Sequence, residues 1–169
     1  ATIIAVFLGG MSVGYFLYGH LSRIFQGKLF KLYGATEFLI GVWAFFTPQI
    51  YLLLTYVPLN HFLAEIGVTI LFLGVPTILM GGTIPILTQA LSADVQSATR
   101  THSLVYSFNT FGASAGSLLA GFYLLPALGL PISLIYAGTI NVAVGTLFYL
   151  SNELLGKNTP AEIKEAPPQ

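Results

Sequence analysis

Charged residues in this chain are confined to the ends of long apolar runs. Residues 1–22, 38–64, 66–93 and 101–152 contain no Asp, Glu, Lys or Arg. A helix needs about 20 apolar residues to cross the hydrocarbon of a bilayer. The pattern predicts five spans, at about 1–22, 31–48, 64–91, 103–125 and 131–152. The run 101–152 is too long for one helix, and its segment PALGLP, 126–131, has the Pro and Gly of a tight turn. The third span contains Pro76 and Pro85 and is expected to kink. Between the second and third, QIYLLLTYVPLNHFL, 49–63, is too short to cross. It reads as interfacial or re-entrant, with Tyr51 and Tyr56 at headgroup depth. The expected fold class is an all-α, polytopic transmembrane helix bundle followed by a flexible polar tail, 153–169.

Composition strengthens this reading. The chain has 169 residues, of which 55% are hydrophobic and 7% charged. A water-soluble domain carries roughly 25% charged residues, too many for this chain to match. The mean hydropathy of +0.82 agrees. The solvent of this chain is therefore lipid. Six basic and six acidic residues cancel, so no basic field exists to hold nucleic acid. The absence of cysteine excludes disulfides and thiolate metal sites. The sequence opens at Ala1 in an apolar run, as expected after a cleaved signal peptide or a missing upstream segment.

The few charges orient the spans. Arg23, Lys28 and Lys31 fall in the first loop, Arg100 in the third, and Lys157 and Lys164 in the tail. With five spans these three segments lie on one side, and the positive-inside rule makes that side cytoplasmic. The expected location is the bacterial inner membrane, with basic loops and tail in the cytoplasm.

Lipid offers no hydrophobic drive for helix association, so small residues must let backbones approach. Gly10 and Gly14 have this spacing, as do Gly112 and Gly116. Gly67, Gly74 and Gly81 recur every seventh residue, and Gly34/Gly41 and Gly138/Gly145 repeat that interval. A compact bundle with buried glycine faces is expected.

Within this apolar chain Glu37 stands out, in LYGATEFLIGVWAFF, 32–46. It lies about 9 Å inward of Lys31 along a helix. An ionisable group at that depth is expected to be protonated or paired with a donor from another helix. Ser107 and Asn109 lie at a similar depth in the fourth span, and Asn141 in the fifth is a further partner. Three roles stay open: an interhelical polar clamp, a proton- or cation-coupled transport path, or a side chain that snorkels to water. Trp43 and the histidines His20, His61 and His102 sit near span ends and read as interface anchors. Their spacing does not motivate a haem or chlorophyll site, so no cofactor is identified. Neither a dinucleotide fingerprint, nor a nucleophile elbow, nor a metal-spaced His/Asp cluster occurs. The chain itself presents no catalytic residue.

Three segments carry a family resemblance. They are FLGGMSVGYFLYGHLSRIFQGKLFKLYGATEFLIG, PTILMGGTIPILTQAL, and LVYSFNTFGASAGSLLAGFYLLPALGL with its Tyr-x-x-Asn-Thr-x-Gly start and Leu-Pro-x-Leu-Gly end. Together they resemble the membrane domain of the spermidine synthase-like proteins, a helical region similar to part of a major-facilitator half. The resemblance covers most of 5–150. It implies that the chain begins at the family's second helix. It also implies that the cytoplasmic aminopropyltransferase-like domain, which would carry polyamine chemistry, would follow residue 155. Gly19, Arg23, Gly27 and Lys28 fall where major facilitators carry a Gly-x-x-x-Asp-Arg-x-Gly-Arg-Arg loop. No Asp precedes Arg23 here and one basic position is missing.

Three functions follow as expectations. The chain is the membrane module of a spermidine synthase-like protein, an anchor or small-solute conduit for a cytoplasmic synthase-like domain. Alternatively it is a structural subunit of a larger respiratory or photosynthetic membrane complex. The third is a half-transporter that works as a dimer, with Glu37 and Asn109 lining a path. The expected partners are the lipid bilayer and other membrane subunits or the synthase-like domain.

Overall fold

The computed structural model describes residues 2–56, 62–92 and 94–155. Among them every regular element is helical: α1 (Thr2–Ile24), α2 (Leu29–Thr55), α3 (Phe62–Thr69), α4 (Val75–Leu91), α5 (Val95–Leu119) and α6 (Leu125–Leu155). A π-helical turn, Ile70–Gly74, joins α3 to α4, and another, Ala120–Leu124, joins α5 to α6. Four helical runs are long and apolar enough to cross a membrane: Thr2–Ile24, Leu29–Leu54, Ile66–Leu91 and Gln96–Asn152. The last is folded back on itself at Gly129, whose φ of 74° and ψ of 170° are not helical. Among the described residues the polypeptide thus crosses the bundle five times.

The boundaries differ from the expected ones where local chemistry overrides hydropathy. Residues 49–55 continue α2 through Pro48 instead of forming a separate interfacial piece. A proline costs a helix one N–H and crowds one carbonyl, and a helix in an apolar solvent tolerates this better than it tolerates losing its remaining backbone bonds. His61 and part of the following connection lie outside the described residues, as do Lys157, Lys164 and the tail from 156 on. At the other end of the third crossing, α5 begins at Val95, eight residues earlier than the apolar run suggests. Asp94 caps it: the carboxylate accepts from Ser97 N at 2.6 Å, and Ser97 Oγ accepts from Asp94 N at 3.1 Å. This capping box satisfies orphan amides in polar surroundings, where hydropathy carries no signal.

Both π turns sit just before a proline. Pro76 has no N–H for the carbonyl of Phe72, and Pro126 has none for that of Phe122. Widening the turn lets a residue beyond the proline serve such carbonyls. At Phe72 a second donor contributes, since Trp43 Nε1 of α2 donates to its oxygen at 3.4 Å.

Packing sets the direction of each helix. Gly10 of α1 lies against Thr77 of α4, Gly14 against Ile78 and Gly81, and Tyr18 against Gly82, so α1 and α4 run parallel. Gly34 of α2 abuts Gly145 and Tyr149 of α6, while Gly41 abuts Gly138 and Val142, so α2 and α6 run antiparallel. Helix α4 also packs on α2 and on α5, which makes it the centre of the bundle. The first loop, the α4–α5 loop and the C-terminal end of α6 therefore meet at one end. Arg23, Lys28, Lys31 and Arg100 all lie at that end.

The interior is made of small and hydroxylated residues. Among the described residues only Phe30, Ile40 and Ile86 are buried large hydrophobics, alongside buried Ser22, Thr36, Thr77, Ser133 and Asn152. Large aromatic side chains point outward, with Phe16 78% and Phe122 82% exposed. In water this distribution would be unstable. In hydrocarbon it is the expected one, because close backbone contact rather than apolar burial holds the helices together.

Candidate intramembrane site

Near the basic end, α2, α4 and α5 border an open cavity of about 600 Å³. Helix α4 supplies Thr83, Ile84 and Leu87, and α5 supplies Thr101, Leu104, Val105, Phe108 and Asn109. The α5 positions recur at three- and four-residue steps, so they form one helical face. From α2 comes the Tyr33 ring. The lining is mainly aliphatic, with the Tyr33 phenol, two threonine hydroxyls and the Asn109 amide as its polar groups.

Glu37 stands one helical turn beyond Tyr33, half-buried, and its carboxyl is hydrogen-bonded to the Tyr33 phenol. The phenol thus connects the carboxyl to the cavity. Tyr33 is itself held by an edge-on contact with Phe148 of α6, ring centres 4.7 Å apart. Between α4 and α5, Thr88 Oγ1 and His102 Nδ1 lie 3.3 Å apart and pin the two helices together. The His102 ring stacks on Tyr106.

The polar residues expected to clamp helices together are placed differently. Glu37 pairs with Tyr33 of its own helix rather than with the fourth span. Ser107 is exposed, and its hydroxyl donates to Ser103 O at 2.7 Å. Asn109 faces the cavity that Tyr33 also lines. Asn141 is half-buried on α6. The reason is local: a Ser or Thr in a helix can donate to the carbonyl one turn back and so needs no partner helix. Thr36, Thr47, Ser103, Ser114, Thr139 and Thr146 all do this.

The predicted glycine seams divide in the same way. Gly10, Gly14, Gly34, Gly41, Gly81, Gly138 and Gly145 make close interhelical contact, Gly74 turns its carbonyl toward Gly10, and Gly67, Gly112 and Gly116 have open space beside them. Spacing shows that a helix can be approached, not which neighbour approaches it. Asn152 was missed altogether. It is 8% exposed, and its Oδ1 accepts from Lys31 N at 3.3 Å. Lys28 leaves the start of α2 without a side-chain cap, so Lys31 N is among the orphan amides of that first turn. A lone Asn ending the last apolar run was the available signal.

His20 is exposed on α1. Among the described residues no group of three His, Cys, Asp or Glu is placed to hold a metal ion. The chain matches no known family, no curated protein and no solved structure.

Proposed function

We propose that this chain is a membrane module whose cavity between α2, α4 and α5 binds and conducts a small cationic solute, with Glu37 as its charge-sensing group. One observation carries the reading: an ionisable carboxyl inside an apolar bundle, joined through Tyr33 to a cavity of about 600 Å³. Intramembrane acids are costly to place and tend to mark solute or proton paths. The phenol gives the carboxyl a hydrogen-bond donor in the absence of solute. A bound cation could take the donor's place, so occupancy would be coupled to the charge of Glu37. The positive-inside rule supports a cytoplasmic position for the basic end, in a bacterial inner membrane on this reading. The resemblance to spermidine synthase-like proteins supports a cytoplasmic synthase-like domain as partner and makes a polyamine the first solute to test.

The test is uptake of radiolabelled spermidine, and of protons, by proteoliposomes. Wild-type protein should exceed protein-free vesicles for at least one of them, and Glu37→Gln should abolish the excess. If flux in the two proteins is equal, or if neither solute moves, the conduit reading fails.

A second reading is favoured by a different feature. Helix α5 turns Gly112, Gly116 and a row of serines away from the bundle, with open space beside both glycines. That suits a subunit of a larger membrane assembly, or a half-transporter paired with a second copy. Chemical cross-linking from Gly116→Cys in native membranes would separate these two, by the mass of the adduct.

A further inference from the structure

The seam between α2 and α6 has two edges. Phe38, Tyr149 and Leu150 stand on one and line an apolar furrow. Tyr33 and Glu37 stand on the other edge of α2, one helical turn apart. Across the seam from Tyr33 is the Phe148 ring of α6. Asn141 precedes Phe148 by two helical turns, so it occupies the same edge of α6. Its depth follows from Gly41 of α2, which meets Gly138 and Val142 to either side of it. Asn141 therefore lies one turn, about 6 Å, beyond Glu37 on the way from the basic end.

Asn141 is half-buried, and among the described residues its side chain has no hydrogen-bond partner. Among those residues no buried side-chain nitrogen or oxygen is left unpaired, so the Asn141 amide opens on free space. The packing shows where that space is. Helices α5 and α6 are joined by the turn Ala120–Leu124, but among the described residues they scarcely touch along their lengths. A cleft separates them on the side where α5 borders the cavity. Lipid tails in this cleft would leave the amide without a partner, a cost that a polar occupant does not incur. An amide oxygen accepts N–H groups but carries no net charge. It can therefore hold a protonated amine less tightly than a carboxylate does.

We propose that Asn141 is a second polar station on the solute path: a protonated amine leaving Glu37 enters the α5–α6 cleft and donates to Asn141 Oδ1. The proposal rests on the cavity being a conduit, and its test separates the two.

The chain has no cysteine, so single thiols can be placed in the full chain and probed in proteoliposomes. The probe is a positively charged, membrane-impermeant methanethiosulfonate. Asn141→Cys should react about tenfold faster than Thr139→Cys, an exposed position on the opposite face of α6, because the reactive thiolate forms in water and is suppressed in apolar surroundings. Asn109→Cys reads the cavity itself. Reaction there with none at Asn141→Cys would overturn the second station and leave the conduit standing. Silence at both would overturn both, and equal rates at Asn141→Cys and Thr139→Cys would also sink the proposal. Flux gives the other readout. Asn141→Ala should slow uptake of radiolabelled spermidine about fivefold, the effect of one lost hydrogen bond, and Asn141→Gln should restore it. Wild-type uptake by Asn141→Ala would remove Asn141 from the path.

Discussion

The seam between α2 and α6 and the outer face of α5 are built from the same kinds of residue and behave oppositely. Both carry glycines at regular intervals, most of them beside an Ala, Ser or Thr. In the seam, Gly34 and Gly41 of one helix face Gly145 and Gly138 of the other, so that backbone touches backbone. On α5, Gly112 and Gly116 face open space, and the surrounding serines bond to their own helix. A glycine pattern is thus permission for close approach. It becomes a contact only when a second helix with a matching gap lies at the same depth, and here two heptad pairs read in opposite directions match.

Four measurements in detergent micelles, three by reversible unfolding and one by hydrogen exchange, would break or sharpen this contrast. The largest effect is expected for Gly145→Val. Its new Cβ would lie 2.5 Å from Phe38 N and 2.6 Å from Gly34 O, and the helices would have to part. Overpacking of this sort costs about 1–3 kcal/mol, and wild-type stability in this variant would mean that the seam is not tightly closed.

Trp43→Phe comes next. It keeps the ring but removes the donor to Phe72 O, beside Pro76. The loss should be about 0.5–1.5 kcal/mol, the usual net value of one hydrogen bond. No loss would show that the widened turn serves that carbonyl alone.

A smaller effect, dependent on pH, is expected at Asp94. The Ser97 amide, followed by the Ser97 hydroxyl, holds its carboxyl below the usual carboxylate range. A depressed native value stabilises the folded form at pH above the ordinary carboxylate pKa, about 3.9. That contribution fades as acid brings the pH down through the native value. Asp94→Ala should therefore weaken the start of α5 at neutral pH and behave more like wild-type in strong acid. Hydrogen exchange of the first α5 amides at several pH values would detect it, and a difference that does not narrow in acid would argue against the cap.

The least effect belongs to Gly112→Val. With open space around that position, stability of the isolated chain should stay within about 0.5 kcal/mol of wild-type. A loss as large as that of Gly145→Val would erase the distinction between the two regions.

Much of the fold is legible in the pattern of charges. Runs free of Asp, Glu, Lys and Arg mark the crossings because each ionised group in hydrocarbon is expensive, and PALGLP marks the return because Gly129 can take a backbone conformation that other residues avoid. Arg23, Lys28, Lys31 and Arg100 lie at one end of the bundle because α1 packs parallel to α4 and α2 antiparallel to α6. Glu37 was visible as the exceptional residue, since one acid among leucines and phenylalanines has few bland explanations.

What the linear pattern could not supply is adjacency. That Glu37 bonds to Tyr33, that Asn152 serves the first turn of α2, and that Tyr33, Thr83 and Asn109 share one cavity all depend on which helices are neighbours. Hydropathy measures the preference of each segment for lipid over water, a property of the segment alone. The choice of neighbour depends on close contact between particular surfaces, which are remote in sequence and come into being only when the helices pack.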